Sequence, residues 1–526
     1  MATASDVPLL QGADDPKRIT ISMGSAGERV FKLENQEVVL LGGNYVIKAQ
    51  PYFPPRDVVL ANALEMSQGA KAMLYKPPAA ADGSQRVVRP CVRLGCMWEG
   101  SMPDKAGPID PTWAANLEAT ITAFKEHGVY VFLELHDDAF TTTNGGEGLP
   151  WWTGAHMQET VTSQSASGHC CCCTTPSYIT NPDHPMTTVC PWWVCCCFCI
   201  EPVRTHGDNP WAAFAVGTDQ GNPASMNVGN VSMRLNNNDL SWGLGTLVWV
   251  TQVHNYASRF YQCHSNPVDR KALFDPYVQY IQYLGSKWEQ HRNVVGIELL
   301  NEPVLGGLPN VYQFLSCRRH LFDFYGAVLE TLGQNDPPFR SPLALEDGFG
   351  SLGSGSKFMK LLSMIPISSK AKKQLKEWGE KNQLILSMHW YPSGGTLGHL
   401  DKVTVPEYVA MGKKQSAELF ANSPIWLSEY CELLPQDTAN LLAQWTNAGS
   451  PCTTYWQYVD LEYTKTFGWY KYPPEVKQYG EPVDKLGILN EKAWAAYEPT
   501  VRDGTYWGGQ ICGSAGGQTG VLSKVK

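Results

Sequence analysis

Ten residues constrain the fold of this chain more than any others: Val294-Val295-Gly296-Ile297-Glu298-Leu299-Leu300-Asn301-Glu302-Pro303. An apolar run of strand-like length that ends in Asn-Glu-Pro reads as a buried strand with a carboxylate at its C-terminal end. A second run of the same kind, Pro424-Ile425-Trp426-Leu427-Ser428-Glu429-Tyr430, again ends in a glutamate. A later strand, Thr453-Thr454-Tyr455-Trp456, follows it after a helical segment. A glutamate at a strand end can be solvated or paired with a lysine. Two of them, in order, with an aromatic on the last strand, are hard to explain as packing.

The rest of the chain sets these strands in a repeating frame. Residues 18–33 alternate and break at Met23-Gly24-Ser25, which predicts a hairpin ahead of the main fold. Residues 38–48 form the first main strand, residues 87–98 the second and residues 129–135 the third, which delivers His136, Asp137 and Asp138. A helix is predicted over 111–127, with Trp113, Leu117, Ile121 and Phe124 on one face. Residues 141–267 are too long and too poor in periodicity for a simple connection and are expected to be an insertion. Helical periodicity returns at 276–288 and leads into the Glu302 strand. Helices at 311–332, 371–381, 406–420 and 437–448 then alternate with strands at 342–345, 384–387, 424–430 and 453–456. Eight strands alternating with helices imply an α/β fold with a parallel sheet, the (β/α)8 barrel, whose chemistry sits at the C-terminal ends of its strands. Residues 461–526 are expected to close the fold with a loop, a short helix at 491–497 and a tail. No internal repeat or linker is visible, so one domain is expected over 1–526.

Composition excludes some function classes. A net charge of −9 without a basic stripe argues against nucleic acid. No apolar run reaches the ~18–20 residues of a spanning helix, and Met1-Ala2-Thr3-Ala4-Ser5-Asp6 lacks the features of a secretory signal. The compartment therefore stays open: cytoplasmic, or secreted or lysosomal if the N-terminus is incomplete. Aromatics at 11% with charged residues at 17% suit a carbohydrate binder, because sugar C–H faces pack on aromatic rings. Arg93, inside the apolar second strand, is costly to bury alone and predicts a carboxylate beside it.

Taken strand by strand, the rim would carry Arg93 on strand two, His136 on three, Asn301 and Glu302 on four, His389 and Tyr391 on six, Glu429 on seven and Trp456 on eight. This ordered series resembles glycoside hydrolase family 5, within the clan of (β/α)8 retaining glycosidases whose catalytic glutamates lie on strands four and seven. The resemblance spans residues 38–460. It implies Glu302 as acid and then base, its protonation held up by burial and by the anionic partner. It implies Glu429 as the ionised nucleophile with Arg93 and Tyr391 against it. Asn301 would hold the sugar 2-hydroxyl, His136 and His389 would line the subsite, and Trp456 would floor it. No metal or other cofactor is expected, since neither histidine has a His-x-x-x-His neighbour or the cysteine partners of a zinc site.

A narrower resemblance rests on Gly43-Asn44-Tyr45-Val46-Ile47-Lys48 with Pro51-Tyr52, on residues 92–98, and on His136-Asp137-Asp138 with Gly146-Glu147-Gly148-Leu149-Pro150-Trp151-Trp152. These look like the endoglycoceramidase branch of family 5, which cleaves between glycan and ceramide in glycosphingolipids. By that resemblance Lys48 and Asp138 would hydrogen-bond the glucose. Members of the branch usually add a C-terminal β-sandwich, for which the last 66 residues are too few. The alternatives are an endo-β-glucanase or mannanase, and a non-catalytic sugar-binding protein on the same scaffold.

Nine of the 16 cysteines crowd residues 170–199, inside a cysteine-rich segment at 168–199. Adjacent cysteines fit neither a zinc C-x-x-C pattern nor simple disulfides. Three readings stand: a disordered or wrongly predicted stretch of coding sequence, a soft-metal site, or an acylated, tryptophan-bearing loop that touches membrane peripherally.

Overall fold

The computed structural model describes residues 16–47, 52–71, 77–137, 140–141, 148–164, 169–170, 173–174, 186–188, 202–204, 251–304, 311–348, 365–390, 404–430, 444–445 and 447–455. Eight strands form a closed barrel: β1 (Gln36–Tyr45), β2 (Val87–Gly95), β3 (Tyr130–Glu134), β4 (Val294–Glu298), β5 (Leu343–Glu346), β6 (Leu384–Trp390), β7 (Ile425–Tyr430) and β8 (Cys452–Tyr455). Each pairs in parallel with the next, and β8 returns to β1 with Cys452 opposite Leu40 and Tyr455 opposite Gly43. Closure removes the sheet edges, and the fold class expected from the sequence is the one observed.

Helices α1 (Arg56–Lys71), α2 (Pro111–Glu126), α3 (Asp275–Gln290), α4 (Val311–Gly333), α5 (Ser369–Glu380) and α6 (Val405–Leu419) cross between strands. Their starts follow from local chemistry. Asp110 accepts the Trp113 N–H at 2.8 Å ahead of α2, Ser368 accepts from Ala371 N ahead of α5, and Thr404 with Glu407 forms a capping box on α6. Trp113, Leu117, Ile121 and Phe124 are all buried on α2, the face that periodicity predicted. Sequence periodicity did not single out α1, nor two helices inside the expected insertion, Trp151–Gln164 and Thr251–Phe260. The insertion is thus more regular than its sequence suggests. The expected helix at 491–497 lies outside the described residues, as does most of 437–448.

Two cores hold the barrel. The outer one packs the outward faces of the strands against the helices. The inner one fills the lumen with Val38, Leu40, Cys91, Phe132, Val295, Ala344, Ile385, Trp426 and Cys452. The predicted N-terminal hairpin, Ile19–Met23 paired antiparallel with Arg29–Leu33, adds Ile19, Ile21 and Phe31 to this inner cluster and so plugs the lumen with side chains. Phe132 and Trp426 stack across it with ring centroids 4.2 Å apart. A barrel lumen is a packed interior, so a floor of this kind fixes the height of whatever layer lies on it. Phe132→Ala is expected to cost about 3–5 kcal/mol of unfolding free energy through lost burial and an unfilled cavity. Denaturant titration measures it, and a cost under about 1 kcal/mol would mean that the lumen is not packed as described.

Candidate active site

Above the apolar floor the lumen turns polar. Arg93, on β2 and wholly buried, donates from Nε to Glu298 Oε2 at 2.6 Å and from Nη1 to Glu429 Oε1 at 2.6 Å; its Nη2 lies 3.1 Å from Glu134 Oε1. It also reaches two amides, Asn44 Oδ1 at 2.9 Å and Asn301 Oδ1 at 2.8 Å. The sequence asked for one carboxylate beside this arginine; the structure gives it three. Asn44 in turn donates to the carbonyls of Ser428 at 2.9 Å and Thr454 at 3.2 Å, tying β1 to β7 and β8.

The charges around Arg93 do not cancel if all three acids ionise. Burial penalises the Glu134 and Glu298 carboxylates, while the guanidinium, held well above its usual pKa by the three acids against the cost of burial, favours them. Glu134 is buried too, but Arg93 and His136, whose Nδ1 is 2.5 Å from its Oε1, bring its carboxyl below the usual range. Glu298 goes the other way. Burial, with Glu134 nearby, pushes its carboxyl up to about 7 although Arg93 and Ser387 pull it down.

The rim lies one step higher. Glu302 stands four residues beyond the end of β4, in a bend with φ of +37°. Its N–H donates to Glu346 Oε2 at 2.8 Å and its Oε1 is 2.9 Å from His389 Nδ1. That same Nδ1 is 3.5 Å from Glu429 Oε2, so the ring stands between the two glutamates. One oxygen of Glu302, one of Glu429 and a ring nitrogen of His389 all lie within 4.8 Å of one another. Despite its acidic neighbours, burial drives the His389 imidazole down to about 3, so its contact with Glu302 is a hydrogen bond of a neutral ring and not an ion pair. Glu346, buried at the end of β5, is pushed well above the carboxylate range by burial first and then by Glu302 and Glu298.

The structure therefore brings together Arg93, His136, Asn301, Glu302, His389 and Glu429. Lys48, Asp138, Tyr391 and Trp456 lie outside the described residues. Asn301 is fixed at both ends of its amide, accepting from Arg93 and donating to the Asp137 carbonyl at 3.0 Å. Three residues of the constellation carried no role in the sequence reading: Glu134, Glu298 and Glu346. Glu298 had a usable signal, since a carboxylate inside an apolar strand needs a partner as much as Arg93 does.

Two sets of side chains meet the distances for a metal ion, Glu302 with His389 and Glu429, and Glu298 with Glu346 and His389. Folding assembles both from separate strands, so the absence of a histidine pair in sequence says little about them. The cysteine-rich segment is described only as backbone, in two short ladders that pair His169–Cys170 with Cys173–Thr174 and Met186–Thr188 with Pro202–Arg204. Its proposed metal or membrane contact lies outside the described residues. Among the described residues no helix is long and apolar enough to cross a membrane.

A closed (β/α)8 barrel with an acidic rim built on β4 and β7 is the class of architecture this chain defines. Residues 89–167 match the family model described as cellulase, glycosyl hydrolase family 5. That is the family which the ordered rim residues resemble. A glucosylceramidase of Aspergillus fumigatus is 32% identical over 62 residues, a match that takes in 12% of this chain and 8% of that protein. Among solved structures, an endogalactoceramidase aligns with a TM-score of 0.47 at 14% identity, covering 84% of this chain and 74% of that one. The endo-glycoceramidase II of Rhodococcus sp. aligns at 0.43 and 13%, covering 91% and 80%.

The Glu298 shift has a sign that can be checked. An acid whose pKa is raised from 4.5 to about 7 in the folded state binds its proton more tightly when folded. Its contribution to stability is full below the unfolded pKa and is lost as pH rises through about 7. Relative to Glu298→Gln, the unaltered protein should lose up to about 3 kcal/mol of stability across that window. Denaturant midpoints of both proteins at acidic, neutral and mildly alkaline pH measure the difference, and a difference independent of pH would contradict the shift.

Proposed function

We propose that the chain is a retaining β-glycosidase acting by double displacement, with Glu302 as acid/base and Glu429 as nucleophile. The observation that carries this reading is the approach of the two carboxyl groups within 4.8 Å, from the ends of β4 and β7. Retaining enzymes hold theirs ~5–5.5 Å apart, and inverting enzymes need ~6.5–9.5 Å to admit a water. Arg93 takes Glu429 Oε1 at 2.6 Å, which fixes the carboxyl group and leaves Oε2 as the attacking oxygen. In the first step Glu429 bonds to the anomeric carbon while Glu302 passes its proton to the leaving oxygen. In the second, Glu302 takes a proton from water, the water oxygen replaces the Glu429 ester, and both groups return to their starting state. His136, Asn301, His389, Lys48, Asp138, Tyr391 and Trp456 are assigned to hold the sugar.

For the substrate we infer the bond between glycan and ceramide in glycosphingolipids, with an endo-β-glucanase or mannanase as the alternative. Support comes from the sequence resemblance around residues 43–52 and 136–152 and from the short match to a glucosylceramidase. Trp151, next to the rim after β3, is 46% exposed, a large ring available to a sugar or lipid face. The family model's own description, cellulase, favours the alternative.

Glu429→Gln is expected to lower turnover by about a thousandfold or more while the fold persists. Added azide should restore turnover to Glu429→Gly and give a glycosyl azide of inverted configuration; a folded variant that azide does not rescue would count against Glu429 as nucleophile. A panel of fluorescent-ceramide ganglioside, glucosylceramide and soluble β-glucans, with products weighed by mass spectrometry, decides the substrate: free ceramide with intact oligosaccharide supports the glycolipid, and glucan cleavage alone removes it. A second reading, a metal-dependent hydrolase, is favoured by the ligand-like grouping of Glu302, His389 and Glu429. Dialysis against a chelator separates the two, since the double-displacement reading expects full activity afterwards and the metal reading expects its loss and recovery with added ion.

A further inference from the structure

Double displacement uses two carboxyl groups, yet a third lies against one of them. Glu346 is 2% exposed at the end of β5, and its Oε1 has no hydrogen-bond partner among the described residues. Its Oε2 accepts the main-chain N–H of Glu302 at 2.8 Å. That N–H belongs to a residue with φ of +37°, a conformation only glycine enters freely. In such a bend the amide has left the strand ladder and needs another acceptor, which Glu346 supplies.

Glu346 is itself fixed. Tyr325 donates its hydroxyl to the Glu346 carbonyl at 3.0 Å. The next residue, Asp347, is gripped by Arg318 through Nε at 3.0 Å and Nη2 at 2.7 Å. Glu346 Oε2 is also 3.6 Å from His389 Nε2, and the other nitrogen of that ring meets Glu302 Oε1 at 2.9 Å. One carboxyl thus faces both ends of Glu302, its main chain directly and its side chain through a ring.

We propose that Glu346 is a positioning residue which holds Glu302 in its left-handed bend and so aims its proton at the leaving oxygen. The role rests on the glycosidase reading above. It differs from plain structural support in one respect: in the first bond cleavage it matters only where the leaving group needs a proton. A dinitrophenolate departs without help, whereas a phenolate or alkoxide does not.

The test compares Glu346→Leu and Glu346→Gln on 2,4-dinitrophenyl and phenyl β-cellobiosides, reading kcat/KM, which reports the first bond cleavage. Glu346→Leu should lose about a hundredfold or more on the phenyl substrate and under about tenfold on the dinitrophenyl one. Glu346→Gln keeps an acceptor oxygen and should recover the phenyl activity to within about tenfold of the unaltered protein. Equal losses on the two substrates, or a glutamine variant no better than leucine, would overturn the role. Should the leucine variant fail to fold, Glu346→Asp, which withdraws the carboxyl by one methylene, is measured in the same way, and equal losses again overturn it. Failure of the unaltered protein to cleave either substrate would instead overturn the glycosidase reading, and the role with it.

Discussion

The upper half of this barrel depends on one buried guanidinium. Arg93 is surrounded by Glu134, Glu298 and Glu429, carried by β3, β4 and β7, and by Asn44 and Asn301 from β1 and beyond β4. An arginine has five N–H donors in a rigid plane, so its partners are constrained in direction as well as distance. Strands from opposite sides of the barrel are therefore registered against a single planar group. Without the arginine, three buried carboxyl groups would lose their shared cation and would have to take up protons to stay buried together.

That arrangement also sets where protons reside. Arg93 supplies one positive charge to a neighbourhood of five buried or half-buried acids: Glu134, Glu298, Glu302, Glu346 and Glu429. Burial keeps His389 neutral, so it adds no second cation. Burial pushes Glu298 and Glu346 upward, while Arg93 and His136 together pull Glu134 down against its own burial. On the glycosidase reading, which needs one protonated and one ionised carboxyl close together, such neighbours shape the local field before a substrate arrives.

Much of this was legible in the sequence. The barrel followed from eight short apolar runs alternating with helical periodicity, and the rim from the polar residues that end them. Arg93 announced a buried partner because an arginine in an apolar strand has no other explanation. The missing parts failed for physical reasons. Glu298 sits in the same run as Glu302, and a pattern read for its terminal residue passes over a carboxylate inside it. Glu346 was visible at its strand end, but its contact with Glu302 depends on a main-chain N–H, which no side-chain pattern encodes. Helix α1 and Trp151–Gln164 carry only weak apolar stripes, whereas Thr251–Phe260 does show one, with Val253, Tyr256, Ala257 and Phe260 at helical spacing, that the length of the irregular sequence before it obscured.

The hardest feature to foresee is how Glu298 and Glu429 come to face inward at all. Side chains alternate along a strand, so lumen residues should recur at every second position. On β7, Trp426 belongs to the lumen and Leu427 to the outer core, which would send residue 429 outward with Leu427. The ladder to β6 instead slips: Met388 pairs with Leu427 and His389 with Glu429, so Ser428 is an extra residue. The slip turns Glu429 to Arg93 and returns Tyr430 to the outer core. β4 shows the same device. Val295 faces the lumen and Ile297 the outer core, with the irregularity between Val294 and Gly296 against β3, and Glu298 then points in to Arg93. A bulge re-aims a side chain at the price of one unpaired residue. Here β4 and β7 both use one, and strict alternation along each strand has to break for Glu298 and Glu429 to meet Arg93.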